Sequence, residues 1–255
     1  EEAGIAPALE TAAREGFETS SRVVYSHAAT NQNILPLLGW AQRRYGTSGY
    51  LVGSNYIWGW ETCRVARTQL EAARGVVLGE RYLPLGDVGV EGLIAQIEQA
   101  RPNFILNSLV GASSYAFIAA YADLGHRDPY FTPQNCPLLS CNLTEAELPK
   151  LGTAAEGLIS VGPSFCKNIA EDGRGSSLER TAYQSVITLA TILAEGAEGP
   201  FDSYLAHHGA RHGIDPATHH KTLDVHIAQV RHGRFEILHS WADISPDPYL
   251  TRPSR

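Results

Sequence analysis

Tyr50-Leu51-Val52-Gly53-Ser54-Asn55-Tyr56-Ile57-Trp58-Gly59-Trp60 is the stretch on which the fold turns. Tyr50 to Gly53 is a short apolar run of strand type, and from about Trp60 to Ala73 apolar residues recur at helical spacing. The same alternation repeats on both sides. Upstream, Val23-Val24-Tyr25 reads as a strand, Thr30 to Asn33 supply capping side chains, and Ile34 to Tyr45 continues as a helix stopped by Gly46. Downstream, Gly75 to Tyr82 is a third strand, and Asp87 is placed to cap a helix running to Arg101. Phe104 to Leu106 is a fourth strand, with Ser113 or Ser114 opening a helix to Leu124, and Pro137 to Ser140 is a fifth. Thr144 and Glu147 have capping-box spacing and predict a short helix. Strands and helices alternating at these lengths mean βαβ units and a parallel sheet with helices on both faces.

The last hundred residues change character. Leu158 to Val161 is another strand, Lys167 to Ser177 reads as a loop, and Leu178 to Glu195 is a long apolar-striped helix. Asp224 to Val230 alternates at period two, His232-Gly233 is a hairpin turn signal, and Arg234 to Trp241 is the return strand. A hairpin appended to a parallel sheet fits an α/β protein of two lobes whose chain crosses between them.

Composition narrows the function. The chain has 255 residues, 44% of them hydrophobic and 18% charged, which excludes a disordered or fibrous protein. A net charge of −7 argues against direct nucleic-acid binding. No stretch approaches the roughly 18 apolar residues of a membrane span. The segment Glu1-Glu2-Ala3-Gly4 does not read as a signal peptide. Four cysteines are too few for a disulfide scaffold, and Cys136 and Cys141 are wrongly spaced for a CxxC pair. Mostly free, buried thiols are expected.

Eight histidines lie after residue 206, and His207, His208 and His212 could share a helical face. No carboxylate or cysteine stands at ligand spacing near them, so a polar solvated surface is preferred to a metal site. There is no G-x-S-x-G hydrolase elbow, and Gly86, Gly89 and Gly92 do not form a dinucleotide fingerprint, so no cofactor is expected. What stands out is the composition of the strand ends: Ser54 to Trp60, Asn107 to Gly111, and Ser140 to Leu143. Open α/β sheets bind ligands outside the carboxyl ends of their strands. Aromatic walls with a few neutral polar groups suit a small, polar, uncharged ligand.

Several segments together resemble a known family. They are Glu15-Gly16-Phe17-Glu18, Asn31-Gln32-Asn33, Gly53 to Trp58, Tyr82-Leu83-Pro84-Leu85, Glu145-Ala146-Glu147, Ile214-Asp215-Pro216 and Pro246-Asp247-Pro248-Tyr249. In this order they resemble the type I periplasmic-binding-protein family. The particular likeness is to the branch of the aliphatic amidase expression-regulating protein and of the urea and short-chain amide ABC-transporter receptors. The resemblance implies a two-lobed fold of parallel sheets flanked by helices, with an amino-terminal lobe only partly represented. The family's strand before the Glu15 segment has no counterpart in Ala8 to Arg14. The implied division is 1–30 with 165–222 for the remnant of the amino-terminal lobe, and 31–164 with 223–255 for the carboxyl-terminal lobe. The amide pocket implied is Tyr56, Trp58, Val110 and Asn142, with Ser54 beside them and no catalytic residue. Asn142 offers both a donor and an acceptor to an amide.

The function implied is non-catalytic binding of a small amide or urea-like solute between the lobes. The first form of this reading is a cytoplasmic amide sensor, a negative regulator of amidase expression acting on an antitermination protein. The second is a periplasmic receptor serving a membrane permease and binding an amide, urea or a branched-chain amino acid. From another class, an amidohydrolase would use the Ser54 region or the histidine-rich tail. A homodimer is compatible with any of them.

Overall fold

The computed structural model describes residues 8–10 (by backbone alone), 20–166, 175–195 and 199–251. The Glu15 to Glu18 segment and most of the Lys167 to Ser177 loop lie outside the described residues. The chain runs β1 (Ala8–Glu10), β2 (Val23–Tyr25), α1 (Ile34–Tyr45), β3 (Ser48–Ser54), α2 (Ile57–Ala72), β4 (Val76–Leu83), α3 (Glu91–Ala100), β5 (Phe104–Ser108), α4 (Gly111–Arg127) and β6 (Leu138–Ser140). It continues through α5 (Leu148–Leu151), β7 (Ile159–Gly162), α6 (Ser177–Ala194), α7 (Phe201–His208), β8 (Leu223–Arg231) and β9 (Arg234–Ile244).

Seven strands form one sheet in the order β4-β3-β5-β6-β7-β8-β9. The first five are parallel, and the β8-β9 hairpin joins β7 antiparallel. This is the α/β architecture expected. Register decides which residues face which layer. Tyr50 pairs with Ile105 and Ile105 with Leu138, and all three enter the core under α3 and α4. Their neighbours Leu51, Leu106, Leu139 and Ile159 also pair in series and face α1 and α2. A slip of one residue would exchange the two faces. α1 buries Ile34, Leu37, Leu38 and Ala41, the spacing of one helical face. Ile34, Leu37 and Leu38 each contribute about 1.5–3 kcal/mol of burial.

A smaller assembly stands apart from these layers. β1 pairs with β2 in a separate two-stranded parallel sheet. Val24, Ile192, Phe201, Tyr204, Leu205 and Ile214 form its cluster. β1 is a strand where the sequence reading placed none; three residues are too short to show alternation. α7 was likewise not anticipated as a separate helix.

Several helix starts differ from expectation. α2 begins at Ile57, not near Trp60, because Gly59 lets its first turn lie against β3. A Cβ at Gly59 would stand 2.1 Å from the Ser54 carbonyl oxygen. Asp87 caps no helix. Its side chain accepts the Gly89 N–H at 2.9 Å in a local turn, and α3 starts four residues later. Ser113 and Ser114 are buried inside the first turn of α4. Thr144 and Glu147 do pair, at 2.7 and 2.8 Å, but in the turn before the four-residue α5. The β8-β9 turn is as read: His232 and Gly233 have φ of 54° and 73°, the positive pair a two-residue hairpin needs.

Candidate functional site

Because β3, β5 and β6 are adjacent and parallel, their carboxyl ends open on one edge of the sheet. Ser54 ends β3 and is fully buried. Its Oγ accepts the Val110 N–H at 3.1 Å, tying the ends of β3 and β5 together. At the next end, Asn142 Nδ2 donates to the Leu109 carbonyl at 3.0 Å. The Ser140 hydroxyl donates to Asn142 Oδ1 at 2.9 Å and accepts the N–H groups of Asn142 and Leu143. Three strand ends are thus joined by side-chain bonds into a continuous rim. Tyr56, Trp58, Val110 and Asn142 are half-buried along it.

Each candidate has a definite environment. Tyr56 caps α2 in extended conformation, and its ring lies 6.4 Å from that of Trp58. Burial, and then the neighbouring Cys141, pushes the Tyr56 hydroxyl above its ordinary value, so at neutral pH it is a protonated donor. Trp58 sits in the first turn of α2, not on a loop, and one side of it packs on the core under α1 and α2. Asn142 already uses one donor and one acceptor within the rim. One amide hydrogen and one lone-pair direction are left for a ligand. Ser54 is closed off. A hydroxyl that accepts a backbone N–H at zero exposure has no approach to a substrate carbonyl, so Ser54 does not serve as the nucleophile of the amidohydrolase reading.

Two residues that the sequence placed at a helix cap and a strand end, without these contacts, complete the rim. Asn33, from the turn before α1, donates to the Cys141 carbonyl at 3.3 Å and brings the β2–α1 connection against β6. Ser140 is the hub of the β6 turn. Asn33 gains its role only from the approach of a segment 108 residues away, whereas Ser140 organises a local turn through bonds to residues two and three further on. A cavity of about 920 Å³ is lined by Ser164, Arg180, Tyr183, Gln184 and Ile187 among others, and none of the five candidates lines it.

The histidines divide. His207 bonds the Ser203 carbonyl, His208 meets Arg211, and His212 meets Glu195 at 3.4 Å and the Tyr204 hydroxyl at 3.2 Å. A carboxylate is therefore near His212 after all, brought from the end of α6 by the fold. Among the described residues no three His, Cys, Asp or Glu side chains are grouped to hold a metal. His219 and His220 are not surface residues: both are buried, and the His220 ring stacks on Tyr25 at 4.5 Å. All four cysteines are buried.

Residues 11–168 match the family described as the periplasmic binding protein domain. The chain belongs to that family. Solved structures of periplasmic binding proteins share its fold. A solute-binding protein of an ABC transporter from R. palustris, in complex with 4-hydroxybenzoate, superposes with a TM-score of 0.78 at 18% identity, covering 97% of this chain and 75% of that one. A branched-chain amino acid ABC transporter periplasmic ligand-binding protein from Burkholderia xenovorans LB400 gives 0.73 at 13% identity, covering 93% and 71%. An amino acid ABC transporter substrate-binding protein from Pseudomonas fluorescens Pf-5 gives 0.71 at 16% identity, covering 97% and 74%. Identities this low speak for the shared fold.

Proposed function

We propose that this periplasmic binding protein is the solute-binding component of an ABC transporter, taking a small, uncharged, polar solute at the joined ends of β3, β5 and β6. The observation that carries this is the rim itself. Tyr56 and Trp58 form an aromatic wall, and Asn142 keeps one donor and one acceptor beyond its structural bonds. No charged side chain stands among Tyr56, Trp58, Val110 and Asn142, so a neutral head such as an amide or urea suits them better than a carboxylate. Closure of the β1-β2, α6 and α7 assembly over the rim would produce the shape that a membrane permease reads. The remnant-lobe division into 1–30 with 165–222 and 31–164 with 223–255 belongs to this proposal.

The similar structures named above come from transport receptors, which favours that role, in the periplasm, over the cytoplasmic amide sensor with an antitermination partner. The test is calorimetric titration with acetamide, butyramide, urea, leucine and benzoate. Saturable heat with an amide or urea, and weaker binding of the two carboxylates, is expected. Tight binding of leucine or benzoate alone would keep the transport role and overturn the neutral-ligand assignment. No saturable heat with any of the five would overturn the site.

A further inference from the structure

Glu145 is a buried carboxylate for which solute binding supplies no role. It is 2% exposed, in the connection between β6 and α5, three residues past Asn142. An ionised group so placed is costly unless it is paired and hydrogen-bonded. Its partners come from one region. Oε1 accepts the Cys166 N–H and lies 3.4 Å from Arg180 Nη2, while Oε2 accepts the Ser177 N–H at 2.9 Å. Cys166 and Ser177 lie at the two ends of the crossing from β7 to α6, and Ser177 is the first residue of the 18-residue α6. One side chain from the sheet assembly therefore holds both ends of the crossing. It also places negative charge at the positive end of a long helix. Arg180 extends the contact to Ser164 Oγ at 3.3 Å. α6 itself buries only Ser177, Ser185 and Ile192, so apolar packing attaches it weakly.

We propose that the Glu145 carboxylate is the tether that couples the α6–α7 assembly to the seven-stranded sheet, so that the two unfold as one body. This goes beyond the solute-binding reading and does not depend on it. The four tryptophans, Trp40, Trp58, Trp60 and Trp241, all lie on α1, α2 and β9. Their fluorescence reports the sheet assembly, whereas far-ultraviolet circular dichroism also reports α6 and α7. In urea the two signals should coincide for the native sequence. In Glu145→Ala the dichroism should lose a first phase before the fluorescence moves, and amides of 177–185 should exchange at least tenfold faster while those of β3 and β5 keep their rates. Glu145→Gln, which retains size and one acceptor, should show a smaller separation in the same direction. Coincident transitions in Glu145→Ala, whatever the shift in midpoint, would overturn the proposal. So would separate transitions in the native protein. If Glu145→Ala does not fold, Glu145→Gln decides by the same pair of signals.

Discussion

α1 and α6 are both amphipathic, yet they meet their surroundings in opposite ways. α1 turns Ile34, Leu37, Leu38 and Ala41 onto the sheet, all at 0% exposure. α6 turns Ser177, Ser185 and Ile192 inward and presents Tyr183, Val186, Ile187 and Leu193 outward, at 44–59% exposure. From Thr181 to Ala194 it carries no charge at all. The difference teaches that an apolar stripe states which face is to be covered, not by what. α1 lies over a sheet whose register supplies the complementary row. Among the described residues nothing covers the outer face of α6.

Mutations can break or sharpen this contrast. The largest effect is expected for Leu106→Ala, which empties a position in the middle of the paired row under α1 and α2. Urea unfolding followed by tryptophan fluorescence should show a loss of about 3–4 kcal/mol. A loss below about 1 kcal/mol would mean that this layer is not the stabilising one. Trp58→Ala lies between the two cases, because the ring has one side on the core and one on the rim. It should weaken solute binding about tenfold, equivalent to about 1.4 kcal/mol. Calorimetry on the folded variant checks this, and unchanged affinity with a lowered melting temperature would make Trp58 a packing residue only.

A subtler effect is expected with pH. Burial holds His220 and His27 below the ordinary histidine value of 6.5. As pH falls, the unfolded chain takes up these protons first, so stability is full above about 6.5 and is lost on acidification. His220→Gln should flatten that decline, read as the change in urea midpoint between pH 7 and 5. The smallest effect belongs to the outer face of α6. Val186→Lys should change stability by no more than about 0.5 kcal/mol, within the range of surface substitutions. A loss of several kcal/mol would show that this face is covered in solution.

Much of the fold was legible because local rules and tertiary demand agree. Tyr50 to Ser54 reads as a strand, and Ile34 to Tyr45 as a helix, since period and propensity select the same residues that the sheet buries. The starts of α2 and α3 were misplaced where a local interaction outweighed the pattern: the close approach of Gly59 to Ser54, and the Asp87 turn. The rim was legible in part. The composition of the strand ends marked the stretches that hold Tyr56, Trp58 and Asn142, and the family resemblance implied those residues within them; Asn33, Ser140 and Glu145 were named as a cap, a strand end and part of the resemblance, without the bonds they make. Asn33 and Glu145 act through hydrogen bonds across 21 to 108 residues of chain, where no local spacing carries the information, whereas Ser140 bonds within three residues of itself.

Sequence alone determined that this chain is an α/β protein of parallel strands with an appended hairpin, because alternation, helical period and turn residues are written within a dozen residues at a time. It also determined the chemical character of the strand ends, since side-chain type does not depend on folding. Tertiary structure decided the rest: which face of Leu51 and Tyr50 meets which helices, that Ser54 is sealed while Asn142 keeps capacity to spare, and that Glu195 reaches His212. These depend on strand register and chain crossings, which bring together residues far apart in sequence, and their energies arise only once the intervening chain has folded.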